Sequence, residues 1–308
     1  MSPTLSTRNF ALVFASAAAL ACILSLLRAS NPPQQNSLTR SESSAGGPVN
    51  SRQLRSLLPD PKSVELRTPR FATTAEICPN PVEIDPKHFK SQRGEDKKIM
   101  KWLKSLCGGT YIEMGALDGV KFSNSYVFNK ALGWRGVLVE LLPRMYKRLV
   151  ENRKNEIATV HAGVCDESQT LHYFDGKGPL GGIYEFTEKD YRRKFWKGAG
   201  LKHSKMHEIE CETLDSLLRK NAPDVNYFDF FSLDVEGAEL SVLRSVDWER
   251  VGFGMLVVEA DGRDRKKDVE VKKLIESYGY QYLRKDSRNY YFLNSNFEEI
   301  YGKVFNIG

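Results

Sequence analysis

Four short apolar runs, each stopping at an acid or a glycine, constrain this chain more than any other feature. They are TYIEM at Thr110–Met114, closed by Gly115, GVLVE at 136–140, FDFFSL at 228–233, closed by Asp234, and MLVVE at 255–259. Runs of this length and composition read as strands buried on both faces. Segments of helical spacing separate them: 94–106, 123–132, Pro143–Asn152, 214–219, 238–245 and 268–278. Strands divided by helices imply an α/β, doubly wound and mostly parallel sheet, closed on both sides by right-handed crossovers. Runs at 280–284 and 289–293 add a C-terminal hairpin, and further strands are expected at 158–164, 171–174 and 207–213. Ligands of such sheets sit beyond the carboxyl ends of the strands, near the point where strand order reverses. Functional groups are therefore expected at the strand tips.

Those tips carry chemistry. The first run leads into YIEMGALDG at residues 111–119, where Gly115 and Gly119 let the backbone turn sharply and approach a ligand. The spacing is not the GxGxxG of dinucleotide sites, which disfavours a nicotinamide oxidoreductase. Glu140 ends the second run, 21 residues beyond Gly119, where an acid can accept hydrogen bonds from both hydroxyls of a ribose. The third run delivers Asp234 and Glu236 to its carboxyl end before Gly237 turns into a helix, and the fourth delivers Glu259. Carboxylates emerging from buried strands need a partner, a substrate or a proton. Glu239 reads as charging the start of the helix that follows.

The amino-terminal third is built differently. Residues 10–27 form an uncharged run between Arg8 and Arg28, close to the length that spans hydrocarbon. Residues 1–30 are read as a membrane anchor with a lumenal C-terminal side, which suggests a single-pass protein of the endomembrane system, Golgi or ER; a cleaved signal peptide and an organelle-targeting segment are the alternatives. Residues 31–85, rich in Ser, Pro, Asn, Gln and Gly, are read as a stalk or linker, leaving 86–308 as the folded domain. The formal net charge of +6 is spread along the chain, and the cluster Arg263, Arg265, Lys266, Lys267 reads as a solvated basic face. No nucleic-acid module is recognisable, so no nucleic-acid partner is expected. The five cysteines contain no CxxC pair, so no metal site is expected. In an oxidising lumen one or two disulfides would form, with the pairing left open.

SQRGED at 91–96, YIEMGALDG, the SNS at 123–125, GWRGVLVE, ETLDSLL, DFFSLDVEGAELSVL and LVVEAD follow one another in an order that resembles FkbM-type methyltransferases. The resemblance covers residues 90–295 and implies a Rossmann-like class I methyltransferase fold, S-adenosyl-L-methionine as cofactor, and O-methylation of sugars or other hydroxyl-bearing molecules. By that likeness Glu113, Gly115, Ala116, Asp118 and Gly119 line the cofactor site with Ser123 and Asn124, Glu140 holds the ribose, and Gln92, Gly94, Glu95 and Asp96 cover the cofactor. Asp234, Glu236 and Gly237 match the family's DVEG element beside the reacting methyl. The frequent Lys-Ile before that element is Ser232-Leu233 here. The expected catalytic residues are Asp234 as base, with Glu236 and Glu259 behind it and His161 after them. The acceptor pocket is expected from residues 178–185 and 191–197, whose mixture of Tyr, Phe, Trp and Lys suits a sugar or an acidic polysaccharide, within the wider class of glycans and other hydroxyl-bearing substrates. A non-catalytic binding or trafficking protein that keeps the fold is the alternative reading.

Overall fold

The computed structural model describes residues 72–103, 106–176, 179–196 and 206–305. The expected anchor, most of the stalk, Gly178, Lys197 and His203 lie outside these residues. Among the described residues no helix is long and apolar enough to cross a membrane.

Seven strands form the main sheet: β1 (Thr110–Met114), β2 (Arg135–Glu140), β3 (Ala158–His161), β4 (Tyr227–Leu233), β5 (Gly252–Glu259), β6 (Tyr280–Asp286) and β7 (Asn289–Asn294). Their order across the sheet is β6-β7-β5-β4-β1-β2-β3. The five central and outer strands from β5 to β3 run parallel, while β7 is antiparallel to β5 and to β6. The chain moves one way from β1 to β3 and the other way from β4 onward, so the switch of direction falls between β1 and β4.

Helices cover both faces because alternate residues of each strand point to opposite sides. Met255 and Val257 of β5 pack with one cluster, Leu256 and Val258 with the other. Leu214, Leu217 and Leu218 of α4 (Leu214–Asn221), Val242 and Leu243 of α5 (Glu239–Arg244), and Val271 and Ile275 of α6 (Arg265–Ser277) fill the face of Leu256 and Val258. The other is filled from α1 (Glu95–Leu103), α2 (Tyr126–Leu132), α3 (Pro143–Asn152) and α7 (Phe297–Phe305), through Ile99, Phe128, Leu149 and Tyr301 among others.

Three features differ from the sequence expectation. The strand expected over 158–164 breaks at Ala162: Ala158–His161 stays in the main sheet, and Gly163–Val164 enters a separate four-stranded sheet with Gln169–Phe174, Gly182–Ile183 and His207–Glu212. The disulfide Cys165–Cys211 staples that small sheet. Residues from 72 onward pack on the domain instead of belonging to a linker. Ala75 is buried, Thr73 donates to Asp229 Oδ1 (2.5 Å), Glu76–Ile77 pairs antiparallel with Leu106–Cys107, and Cys78–Cys107 closes the edge. Helix α7 follows the hairpin, and Tyr301 donates to Asp229 Oδ1 from below (2.7 Å).

Candidate active site

The sheet register brings the sequence motifs together. Met114 pairs with Val139 on one side and Leu233 on the other, and Leu233 pairs with Val258. The next residue in each strand direction is therefore Gly115, Glu140, Asp234 or Glu259, in one row along the carboxyl rim. All four line a single cleft.

Gly115 occupies the narrowest point. Its φ is +79°, and a Cβ there would lie 1.9 Å from the Asp234 carbonyl oxygen. The tips of β1 and β4 thus approach more closely than any side chain permits, tied by Asp234 N–H to Met114 O (3.2 Å) and Gly115 N–H to Val139 O (3.1 Å). Leu117 also takes a positive φ of 50°, held because its N–H donates to Glu140 Oε2 (2.7 Å). Glu140 Oε1 accepts from Leu142 N–H (2.7 Å). This carboxyl is 3% exposed, and burial pushes its pKa up to about 7 against the pull of those backbone bonds. Each oxygen keeps a further acceptor position.

Glu113 reaches the cleft wall but uses its carboxylate on the loop after β1. Oε1 accepts from Asn124 N–H (2.6 Å), and Oε2 accepts from the Ser123 hydroxyl (2.8 Å) and, in a very short bond, the Ser125 hydroxyl. Asn124 in turn donates from Nδ2 to Ser232 Oγ (2.8 Å). That bond gives a role to the serine standing where the family often has lysine. Asn124 Oδ1 is buried in the cleft wall with no hydrogen-bond partner among the described residues.

Four of the expected cofactor contacts do not line the cleft. Ala116 is packed in the core. Asp118 closes the turn by accepting from Val120 and Lys121 N–H (3.1 and 2.8 Å) and pairs with Arg148 (2.9 Å). Gly119 lies where a Cβ would meet Arg153 Cγ at 2.5 Å and Leu149 Cδ1 at 2.6 Å. Ser123 is spent on Glu113. These residues shape the loop from behind, because a tight turn consumes its own glycines and short polar side chains.

A buried cation, unforeseen in the sequence, supports that loop. Arg153 is 2% exposed and donates to Glu156 Oε1 (2.7 Å), Gly119 O (2.8 Å), Ser123 Oγ (3.2 Å), Ser125 Oγ (2.9 Å) and the Tyr111 hydroxyl (2.6 Å). Glu156 also accepts from Gly136 N–H (2.7 Å) and from Tyr111. An Arg and a Glu three residues apart beside a basic helix look like a surface pair in sequence, so nothing there signals burial.

The other end of the rim is acidic. Asp234 and Glu259 hydrogen-bond to each other, which requires a proton on one of them. Burial, then the neighbouring carboxylates, pushes Glu259 well above the ordinary range, so the proton resides on Glu259. Asp234 opens onto the cleft while protein surrounds it on the other sides. Its pKa is pushed up to about 7 by desolvation and then by Glu236 and Glu239, against the pull of the Glu259 hydrogen bond and of Arg288. Glu259 is also paired with Arg288 in a very short contact, and Arg288 reaches Asp261 (3.1 Å). Glu236 takes a positive φ of 54° and pairs with Arg263 (3.1 Å). Glu239 accepts from Val235 and Gly237 N–H (3.2 and 3.0 Å) at the start of α5 and pairs with Lys267 (3.2 Å), a helix-start role. Arg263 and Lys267 therefore turn inward from the cluster read as a solvated face, drawn by acids that a linear reading leaves far apart. His161 bonds Leu141 O (2.9 Å) and stacks on Tyr146, and it does not line the cleft.

Two further segments close the cleft. Gln92, Arg93 and Glu95 reach it from one side, with Glu95 accepting from Asn289 Nδ2 (3.0 Å) and Arg93 N–H (2.8 Å). Gly94 and Asp96 stand back, Asp96 bonding Lys90 and Ser91 N–H (2.8 and 3.0 Å). From the other side come Pro179–Ile183, Tyr191 and Phe195. Among the described residues no His, Cys, Asp and Glu cluster is arranged to hold a metal ion.

Residues 113–282 match the model of the methyltransferase FkbM domain, more than half of the chain. Among solved structures, an FkbM methyltransferase from Methylobacillus flagellatus is 14% identical, with a TM-score of 0.37 over 60% of this chain and 43% of that one. The chain thus spans less than half the length of that protein. Aeropyrum pernix fibrillarin with bound S-adenosyl-L-methionine is 13% identical, covering 61% and 67% of the two chains at a TM-score of 0.36. A Bacillus cereus O-methyltransferase is 13% identical, covering 67% and 82% at 0.36. No curated protein matches the chain in sequence. The strand order, the cleft at the switch point and the match over residues 113–282 lead to one conclusion: the chain belongs to the FkbM methyltransferase family, with a Rossmann-like class I fold and S-adenosyl-L-methionine as its cofactor.

Proposed function

We propose that the protein methylates a hydroxyl oxygen of a small molecule or glycan. The observation that carries this reading is the row Glu140, Gly115, Asp234, Glu259 along one rim, spanning three strand spacings or about 14 Å. The residues present fit the donor. The orphaned Asn124 Oδ1 is an acceptor for its ammonium group, and the remaining acceptor positions of Glu140 suit two ribose hydroxyls. Leu142, Ala162 and Val164 flank Glu140 with apolar surface suited to a flat ring, and Gly115 keeps the strand tip clear.

When bound, the donor supplies a methyl group already activated by its sulfonium. The protein's contribution is then alignment and proton removal. Holding the acceptor oxygen in line contributes most of the rate. Asp234 takes the hydroxyl proton as the new oxygen–carbon bond forms. Neutral Glu259, fixed by Arg288, donates a hydrogen bond that orients Asp234 and keeps it ionised.

Four paired cysteines favour folding in an oxidising compartment. This supports a lumenal catalytic domain in the Golgi or ER, carried on residues 1–30 as a signal anchor through a linker. The full chain in detergent, titrated calorimetrically with S-adenosylmethionine and with NAD, tests the donor; binding of neither would favour the non-catalytic reading. Transfer of labelled methyl to a panel of hydroxylated acceptors tests the chemistry, and label recovered on nitrogen instead of oxygen would refute it.

A further inference from the structure

Tyr191 is a buried side chain without a structural purpose for its polar end. The residue is 4% exposed and lines the cleft, yet its hydroxyl has no well-formed hydrogen bond among the described residues. It lies close to the Glu236 carboxylate, and desolvation, then that charge and a contact with it outside good hydrogen-bond geometry, push its pKa well up against the pull of Arg263, so it stays protonated and can donate. Its ring is clamped between the Arg263 guanidinium, 4.3 Å from the ring centroid, and the Phe195 ring at 4.6 Å.

The surroundings hold this hydroxyl in place. Tyr191 ends the short helix Lys189–Tyr191 and is followed by a π-turn, Arg192–Trp196, a geometry often found at functional sites. Trp196 Nε1 donates to Leu180 O (2.7 Å), and Thr187 donates to Ile183 O (2.7 Å) and more loosely to Glu236 O (3.3 Å). The Phe186 carbonyl comes so near Gly237 that a Cβ there would lie 2.5 Å away. The arm from Gly182 to Trp196 is thus locked onto the turn that carries Asp234 and Glu236. A rigid, protonated donor without a well-formed bond, buried in the wall of a cleft, indicates a partner that arrives with the ligand.

We propose that Tyr191 is the acceptor-binding residue: its hydroxyl donates to an oxygen of the acceptor adjacent to the one being methylated, with Phe195 as the apolar face beneath. The acceptor is then a molecule with at least two neighbouring oxygens, a polyol or cyclic hydroxy-ether, and a lone alcohol is a poor substrate. This rests on the reading of the cleft as a site of oxygen methylation.

Tyr191→Phe in the full chain removes only the hydroxyl. Four quantities are compared with wild type: thermal midpoint, affinity for S-adenosylhomocysteine, saturation-transfer NMR of methyl glycopyranosides on the protein loaded with S-adenosylhomocysteine, and kcat and KM for labelled methyl transfer to those glycosides and to benzyl alcohol. The expected result is an unchanged or higher midpoint, since no structural bond is lost, and product affinity within twofold. Glycoside binding falls and its KM rises about tenfold, with kcat changing less, on the magnitude of one hydrogen bond. A lowered midpoint or a variant that does not fold overturns the proposal, because the hydroxyl would then have a structural partner. Unchanged glycoside binding, no glycoside binding to the loaded wild-type protein, or benzyl alcohol turned over as well as the glycosides also overturns it. Absence of S-adenosylhomocysteine binding in the wild type would instead remove the broader methyl-transfer reading.

Discussion

Donor binding should become pH-dependent through Glu140, in a direction opposite to that of stability. The carboxyl is 3% exposed and titrates near 7 in the donor-free protein, against an ordinary value of 4.5. Ribose hydroxyls donate to it, so they favour its ionised form. At pH 8 about nine-tenths of the molecules carry the charge, at pH 6 about one-tenth, and donor affinity is expected to fall about tenfold, ~1.4 kcal/mol. Stability runs the other way. Between 4.5 and 7 the folded protein holds a proton that the unfolded chain has released, so this group stabilises the donor-free fold as pH falls, by up to ~1.4 kcal/mol per pH unit. Glu140→Gln isolates the effect. An amide has one oxygen and one NH2 group, so either Leu117 or Leu142 N–H loses its acceptor, which costs ~1–3 kcal/mol. Calorimetric titration with S-adenosylhomocysteine at pH 6, 7 and 8 on both proteins is the assay, with the variant removing any slope that belongs to the ligand or to Asp234. A wild-type slope equal to that of the variant would refute the assignment of Glu140 to the ribose.

Other perturbations separate the supporting structure from the chemistry. Arg153→Met leaves Glu156 buried and unpaired beneath the Gly119 loop, at ~3–5 kcal/mol, or a fall of ~6–20 °C in Tm for a domain of this size; Arg153→Met with Glu156→Gln should recover part of it in calorimetric melting. The Cys78–Cys107 and Cys165–Cys211 bridges close segments with sequence separations of 29 and 46, so replacing either pair by serine is expected to cost ~3–4 kcal/mol on the chain-entropy model, read as a lower midpoint under otherwise identical non-reducing conditions. Asp234→Asn should lower kcat about 10²–10⁴-fold with donor affinity within severalfold of wild type, and full activity in this variant would remove Asp234 as the base.

What the sequence disclosed about the fold follows from which interactions are local. GVLVE, FDFFSL and MLVVE announce themselves because a strand buried on both faces has nowhere to place a polar residue except at its ends. The same logic placed Glu140, Asp234 and Glu259 at the rim before any pairing was known. The small sheet and the break at Ala162 were illegible, since whether a short extended run joins one sheet or another depends on partners up to 48 residues away, such as Gly163 opposite Cys211. Residues 72–85 looked like linker because their few anchors, Thr73, Ala75 and Cys78, are small. Within the site, Asp118 and Gly119 illustrate an ambiguity inherent in turns: the residues that form a ligand-binding loop and those that touch the ligand have the same composition. Residues 191–197 were expected at the acceptor pocket from their aromatic content, and Tyr191 and Phe195 do line the cleft; Arg263 sits in a segment rich in charge, and only the fold shows that it faces inward.

The division of labour among the rim carboxylates follows from their counter-charges. Glu236 and Glu259 each face an arginine, Arg263 and Arg288, whereas Asp234 has no ion-pair partner among the described residues and opens onto the cleft. A carboxylate already bound by guanidinium is a weak base, because taking up a proton forfeits the ion pair. A carboxyl kept neutral by burial has no basicity left to offer. Asp234 alone combines a pKa raised to about 7, where a base is ready to take a proton near neutral pH, with an opening toward the cleft and a neighbour that releases no charge when the proton arrives. The two arginines keep this concentration of acids compatible with folding. They also leave the cleft with a local excess of carboxylate, since Glu113 and Glu140 face it too. An acceptor that enters as an anion meets repulsion there, whereas a neutral molecule rich in hydroxyls meets acceptors for each of its donors, and the fit therefore favours neutral, hydroxyl-bearing substrates.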